Sequence, residues 1–110
     1  MTIPSDQSPA NGGNSSAPEP FQLLLAGMAS CAAVYIQGYC ETKGIDWQQT
    51  HLRLKGEWDK KARLYERMEF ELSGAENMPS EHKKLIETAI HRSAVLRQIK
   101  HPTQFTVTIV

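Results

Sequence analysis

The chain of 110 residues contains two cysteines, Cys31 and Cys40, and these are its strongest candidates for chemistry. A thiolate can act as a nucleophile, as a metal ligand or as half of a disulfide, whereas a buried thiol behaves as a small apolar side chain. Both cysteines lie in the uncharged stretch PFQLLLAGMASCAAVYIQGYC, which is typical of a buried helix. The residues alone favour packing over reactivity for each thiol, and leave both interpretations open.

Spacing argues against a disulfide and against a metal site. Cys31 and Cys40 are nine positions apart, so on one helix they face opposite ways and lie roughly 13 Å apart along the axis. A disulfide needs Cα atoms within about 7 Å. No CxxC, CxxH or HxxxH spacing occurs, and the four histidines, predicted to lie at the surface, are scattered: His51, His82, His91 and His101. We therefore expect no metal and no cofactor.

The cysteines are positioned by a predicted long helix. Residues 1–18 are rich in Ser, Pro, Gly and Asn, which predicts an irregular arm, and residues 19–110 form the predicted domain. Pro20 suits the first turn of a helix, and Gly44 follows as its C-terminal stop. This helix is apolar on nearly all sides and carries many small residues, so other elements should pack closely around it.

After the helix, the hydrophobic period changes twice. Leu52 and Leu54 alternate with charged residues, then a polar turn at Trp58–Lys61 leads into Leu64–Leu72, which predicts an antiparallel hairpin. Pro79 and Ser80 begin a second helix, whose apolar stripe includes Ser93 and which Pro102 ends. Alternating Phe105, Val107 and Ile109 predict a final strand. The order α-β-β-α-β indicates an α+β fold, with the long central helix packed against an antiparallel sheet.

Composition narrows the partners and the cellular setting. Twelve basic residues balance twelve acidic ones, which gives no electrostatic reason to expect nucleic acid. No basic residue precedes Lys43, so a secretory signal is not indicated, and two cysteines without a signal fit the reducing cytoplasm.

Gln22, Ser30 and Gln37 interrupt the apolar helix, which argues against a membrane span. Three strands cannot cover such a helix, and we therefore predict an obligate homodimer.

Two segments make the sequence similar to a known family. The first, DQSPANGGNSSAPEPFQLLLAGMASCAAVYIQGYCETKGID, has a Gly-Gly pair, an Ala-Pro-x-Pro-Phe motif, a Leu-Leu-Leu-Ala-x-x-x-x-Cys run and a closing Lys-Gly-Ile. The second, HRSAVLRQIKHPTQFTVTIV, places His-Pro before a closing strand. Together they resemble the OsmC/Ohr family of osmotically inducible and organic-hydroperoxide-resistance proteins, over about residue 6 to the end.

The resemblance implies an interwoven homodimer whose two central helices lie between curved sheets. It also implies a function: in active members the helix cysteine attacks a hydroperoxide, becomes a sulfenic acid, and is resolved as a disulfide by a second cysteine. The peroxidatic position falls on Cys31 and not on Cys40. The resolving position falls on Ser93, whose hydroxyl cannot form a disulfide.

Further differences from the active members of the family leave two functions open. Active members place a Glu ten residues before the helix cysteine, where this chain has Phe21 and where Glu19 is out of register. Their activating Arg belongs to an N-terminal strand, and no Arg precedes Arg53 here. One hypothesis is a thiol-dependent peroxidase that uses Cys31 and an external dithiol reductant. The alternative is a non-catalytic dimer that binds a small apolar ligand or has a structural role.

Overall fold

The computed structural model describes residues 1–110 as an α+β fold with three helices and one hairpin. Helix α1 spans Pro20–Lys43, strands β1 and β2 span His51–Asp59 and Leu64–Ser73, and helices α2 and α3 span Ser80–His91 and Ala94–Lys100. Both shorter helices pack against α1, and so does β1. The long helix is therefore the element around which the other elements are arranged.

Helix α1 begins and ends where its sequence predicts. At its start, the Gln22 side chain accepts a hydrogen bond from the Glu19 N–H at 2.8 Å, which satisfies a backbone donor that the first turn cannot. At its end, Gly44 adopts a left-handed conformation with φ of 67°, and its N–H donates to the carbonyl oxygen of Glu41. The helix is continuous between these residues and carries both cysteines, which are free thiols.

Only one stripe of α1 is covered. Met28, Ala32, Ile36 and Cys40 recur every four residues and are buried, in one core with Ile86, Ile90 and Leu96 from α2 and α3. The rest of the helix is much more open, and Val34 is 64% exposed. By length and composition α1 could cross a membrane, a property that core helices of soluble proteins share.

The predicted hairpin is confirmed, with its turn shifted toward the C-terminus. Leu52 pairs with Leu72 and Leu54 with Phe70, so the half-buried residues of both strands share one face. Trp58 and Asp59, predicted to lie in the turn, belong to β1 instead. The reason is that the Asp59 carboxylate accepts the N–H groups of Lys61 and Ala62, which places the chain reversal beyond Asp59.

The structure corrects the prediction of a single second helix. The chain leaves the helical conformation at Ser93, whose ψ of 139° separates α2 from α3. Ser93 precedes the first residue of α3, the position at which serine is preferred. Ser93 therefore lies at a junction of two helices rather than in the middle of one.

The predicted final strand is also corrected. Residues 101–110 contain no strand, and the sheet consists of β1 and β2 alone. Phe105, Val107 and Ile109 are each at least 85% exposed, so none of them packs on the chain that carries it. A strand requires a hydrogen-bonded neighbour, and this segment has none within the single chain.

Candidate functional site

The candidate nucleophile, Cys31, lies at the border between the covered and the open side of α1. It is half-buried and sits one position before Ala32, which is fully buried. Gly27 precedes it by one turn on the same face, and a Cβ atom added at Gly27 would meet nothing within 4 Å beyond the helix's own nearby backbone. The thiol is therefore beside open space, which a substrate or another protein surface can occupy.

Cys40 has the environment of a packing residue. Its side chain is 0% exposed and belongs to the buried stripe of α1. Burial raises the pKa of the Cys40 thiol because a thiolate would lose its hydration there. A thiol that stays protonated and out of contact with solvent is a poor nucleophile, so the structure supports the packing interpretation for this cysteine.

Ser93, at the predicted resolving position, is buried as its place on the apolar stripe predicts. Its side chain is 0% exposed, and its Oγ atom has no hydrogen-bond partner. It precedes α3, but the hydroxyl caps no backbone N–H of that helix. Because Oγ is unpartnered, Ser93 and Cys31 are not hydrogen-bonded, although α3 and α1 pack together. Their proximity stays a prediction.

The acidic and aromatic residues before Cys31 have other partners. Glu19 accepts a hydrogen bond from the Ser8 N–H at 3.0 Å, which ties the N-terminal arm to the start of α1. Phe21 packs edge-on against Trp58, with ring centroids 5.2 Å apart. Phe21 and Cys31 are ten residues apart on a continuous helix, which is about 15 Å along its axis. Neither Glu19 nor Phe21 is therefore close enough to activate the Cys31 thiol of the same chain.

The four histidines do not converge on a site. His51, His91 and His101 are exposed, as predicted. His82 is different, because it is half-buried and its Nδ1 lies 2.9 Å from the Tyr39 hydroxyl. Burial, and then the charge of Glu81, raise the pKa of Tyr39, so the phenol stays neutral in this contact. No three His, Cys, Asp or Glu side chains are arranged to hold a metal ion.

A cavity between β2 and α2 is a second candidate site. Its volume is about 560 Å³, within the range of small-molecule sites. Its apolar lining includes Met68, Phe70, Leu72, Ile86 and Ile90, and charged side chains such as Arg67 and Lys83 lie around it. This cavity could not be predicted from the sequence, because it depends on the distance between α2 and β2, which the hydrophobic pattern does not give.

An ordered arm and an aromatic cluster are two further features that the sequence did not predict. The Asp6 carboxylate accepts the N–H groups of Gln7, Asn14 and Ser16, which folds the arm into a loop around it. Phe21, Trp58 and Tyr65 come together at the start of α1. The pairing of Trp58 with Tyr65 across the hairpin could have been found by aligning the two strands, but the turn had first to be placed correctly.

Comparisons with known proteins agree with this fold. The model of the OsmC-like protein family matches residues 12–108. An osmotic-stress-induced and detoxification-response protein of Psychrobacter arcticus is 21% identical, with a TM-score of 0.79 over 91% of this chain and 72% of that one. The organic hydroperoxide resistance protein OsmC of Legionella pneumophila is 16% identical, with a TM-score of 0.60 over 91% and 74%.

No curated protein sequence matches the chain significantly. At 21% and 16% identity, the two solved structures establish the shared fold and no more. The family model is the stronger finding, because it includes α1 with Cys31, the hairpin, and the junction at Ser93. It extends over nearly the whole chain, and on that basis the chain belongs to the OsmC-like protein family.

Proposed function

We propose that this protein reduces organic hydroperoxides through Cys31, with an external dithiol as the reductant. The observation that carries the proposal is the contrast between the two thiols: Cys31 is half-buried beside open space, whereas Cys40 is fully buried. Family membership supports it, because the similar Legionella pneumophila protein is an organic hydroperoxide resistance protein. Cys31 lies at the family's peroxidatic position.

The proposed reaction has two halves, the oxidation of Cys31 and its reduction by the dithiol. In the first, the Cys31 thiolate attacks the terminal oxygen of the hydroperoxide; an S–O bond forms, the O–O bond breaks, and the alkoxide leaves as an alcohol after taking up a proton. In the second, one thiol of the dithiol attacks the sulfenic sulfur and releases water. The other thiol then displaces Cys31 and leaves the reductant as a disulfide.

The reductant has to be external because neither candidate within the chain can resolve the sulfenic acid. Ser93 carries a hydroxyl, which cannot form a disulfide. Cys40 is on the same continuous helix, too far from Cys31 along the axis to pair with it. A small dithiol can reach the half-exposed Cys31 directly.

We also propose that the functional unit is a homodimer. Val34 is 64% exposed on α1, and Gly27 and Gly38 leave room for a close approach of another backbone. The exposed side chains of Phe105, Val107 and Ile109 add apolar surface that a single chain leaves in water. A second copy would bury both surfaces.

The test is hydroperoxide consumption, measured with cumene hydroperoxide and dithiothreitol for the native protein and for Cys31→Ser. We expect Cys31→Ser to lower the rate to that of the buffer. Cys40→Ala is the matched control, and it should keep most of the rate if it remains folded by circular dichroism. Equal rates for native protein and Cys31→Ser, or no rate above buffer for the native protein, would contradict the proposal.

The cavity between β2 and α2 supports a second candidate function, a non-catalytic dimer that binds a small apolar ligand. Its lining is half apolar, and its volume suits a compact organic molecule. The unmatched Glu and resolving Cys positions, which are Phe21 and Ser93 here, support this candidate. A native protein that consumes no hydroperoxide but binds an apolar fluorescent dye, with loss of binding in Ile90→Glu, would establish it in place of the first.

A further inference from the structure

A second cavity, of about 700 Å³, lies where the N-terminal arm, the start of α1 and the hairpin turn meet. Its lining combines three aromatic residues, Phe21, Trp58 and Tyr65, with two basic ones, Lys60 and Arg63. Within the chain it is separate from Cys31, because Phe21 is about 15 Å along α1 from that residue. Its side chains have no role in the function proposed above.

The aromatic residues form a packed cluster. Phe21, Trp58 and Tyr65 contact one another edge-to-face, with ring centroids 5.0 to 5.4 Å apart. The Tyr65 ring also lies over Gly56, where a Cβ atom would come within 2.5 Å of its Cδ1 atom. Despite these contacts Trp58 remains 44% exposed. An indole that is held in place and open to solvent can stack with a planar ligand.

The basic residues belong to a turn of defined shape. The Asp59 carboxylate accepts the N–H groups of Lys61 and Ala62, and the Arg63 N–H donates to the Asp59 carbonyl oxygen at 2.8 Å. Arg63 has φ of 57°, a left-handed conformation that glycine or asparagine adopts more readily. The turn therefore carries an arginine at a position where glycine would be less strained.

The charge available to a ligand in this cavity is positive. The single ion pair of the structure joins Lys55 and Glu71, so Lys60 and Arg63 have no acidic partner. Glu19 is the one acidic residue of the lining and accepts a hydrogen bond from the Ser8 N–H, so two cations and one anion give the lining a net positive charge. An anionic group would therefore meet two cations, one of them a guanidinium whose paired donors match a carboxylate.

We propose that this cavity binds a small aromatic carboxylate. The aromatic part of the ligand stacks on the exposed indole of Trp58, and its carboxylate pairs with Arg63 and Lys60. A concave surface with aromatic side chains and a few converging charges is the usual composition of a small-molecule site. The carboxylate, rather than the ring alone, gives the site its selectivity, because neutral aromatic compounds lose both charge-assisted bonds.

The test is a titration with 2-naphthoate, followed by the two tryptophan indole N–H signals in nitrogen-15 correlation spectra. Trp58 should shift saturably, whereas Trp47, which does not line the cavity, should not. The uncharged analogue 2-naphthamide should bind about tenfold more weakly or worse. Shifts of both tryptophans alike, equal binding of the amide, or no saturation at millimolar naphthoate would overturn the proposal. Tighter binding of phenyl phosphate would assign the site to phosphate esters instead.

Arg63→Gly separates a binding role from a structural one. It removes the guanidinium and leaves a residue suited to the left-handed conformation, so naphthoate affinity should fall about tenfold while the thermal midpoint stays the same or rises. Arg53→Gln is the matched control, because Arg53 is exposed on β1 outside the cavity, and it should bind as the native protein does. Unchanged affinity in Arg63→Gly would contradict the proposal.

Discussion

At the scale of single residues, the surroundings of a side chain decide its chemistry. Cys31 and Cys40 have the same thiol on the same helix, yet burial raises the pKa of Cys40 and the open side of α1 leaves Cys31 accessible. Ser93 is polar but buried: its side chain is 0% exposed, and its hydroxyl has no hydrogen-bond partner. An unpartnered buried hydroxyl costs on the order of 1–3 kcal/mol, so this position is not optimised for a serine.

Ser93→Cys tests whether position 93 corresponds to a resolving cysteine. We expect peroxide treatment to produce a disulfide between Cys31 and the introduced thiol, because the family resemblance implies that these positions react together and because Ser93 is buried at the start of α3, which packs against α1. The measurement is peptide mapping by mass spectrometry without reduction.

Ala94→Cys is the matched control for this crosslink. It places a thiol one position further along, on an exposed side chain, and should give no disulfide with Cys31. Absence of the crosslink in folded, oxidised Ser93→Cys would show that position 93 is not the resolving position.

At the scale of elements, short-range hydrogen bonds order a segment whose composition predicts irregular structure. Residues 9–11 form a short 3-10 turn, and the Asp6 carboxylate holds the surrounding loop through backbone N–H groups. Gly13 lies so close to Asp6 that an added Cβ would be 2.6 Å from the carboxylate. A segment without an apolar core is thus fixed by one acidic residue and by a glycine that leaves it room.

The order of the arm should depend on pH through Asp6. Hydrogen bonds from Ser16 first, and then from Asn14 and Gln7, lower the pKa of Asp6 from 3.8 to about 2. A lowered pKa stabilises the folded loop above pH 3.8, and this contribution is lost as the pH falls through about 2. We expect the amide signals of Asn14 and Ser16 to shift and lose protection between these values in a nuclear magnetic resonance titration.

Asp6→Ala should remove that protection already at neutral pH, because no acceptor remains for those N–H groups. Asp46→Ala is the control, since Asp46 accepts a hydrogen bond from Gln48 in a different loop. Asn14 and Ser16 amides that remain protected in Asp6→Ala would contradict the assigned role of Asp6.

At the scale of the whole molecule, the single chain leaves much apolar surface in water. Ten of the 110 residues are buried, while Val34, Phe105, Val107 and Ile109 are exposed. A hairpin of two strands is marginal by itself and gains stability from further layers. Both observations favour an assembly in which another chain supplies those layers.

We predict a dimer in light scattering at micromolar protein, with α1 in the interface. Val34→Asp should raise the dimer dissociation constant by about tenfold or more, because a two-fold axis brings two such charges onto facing apolar surfaces. Lys61→Asp, in the hairpin turn, is the control and should remain dimeric. A well-folded native monomer under these conditions would overturn the prediction.

Much of this protein follows from its sequence. Proline and glycine fix the ends of α1, and the period of two fixes the hairpin, because both signals act between residues close in the chain. The spacing of Cys31 and Cys40 on one helix excludes their pairing for the same reason. The family motifs identify Cys31 and Ser93 as the positions to compare.

Only the tertiary structure decides the remaining features. The junction at Ser93, the missing strand at residues 105–109 and the cluster of Phe21, Trp58 and Tyr65 depend on which distant segments meet. Residues 105–109 have the pattern of a strand but no neighbour within the chain to hydrogen-bond with, so the pattern alone does not produce one. Periodicity reports which face of an element is apolar, whereas packing determines what that face contacts.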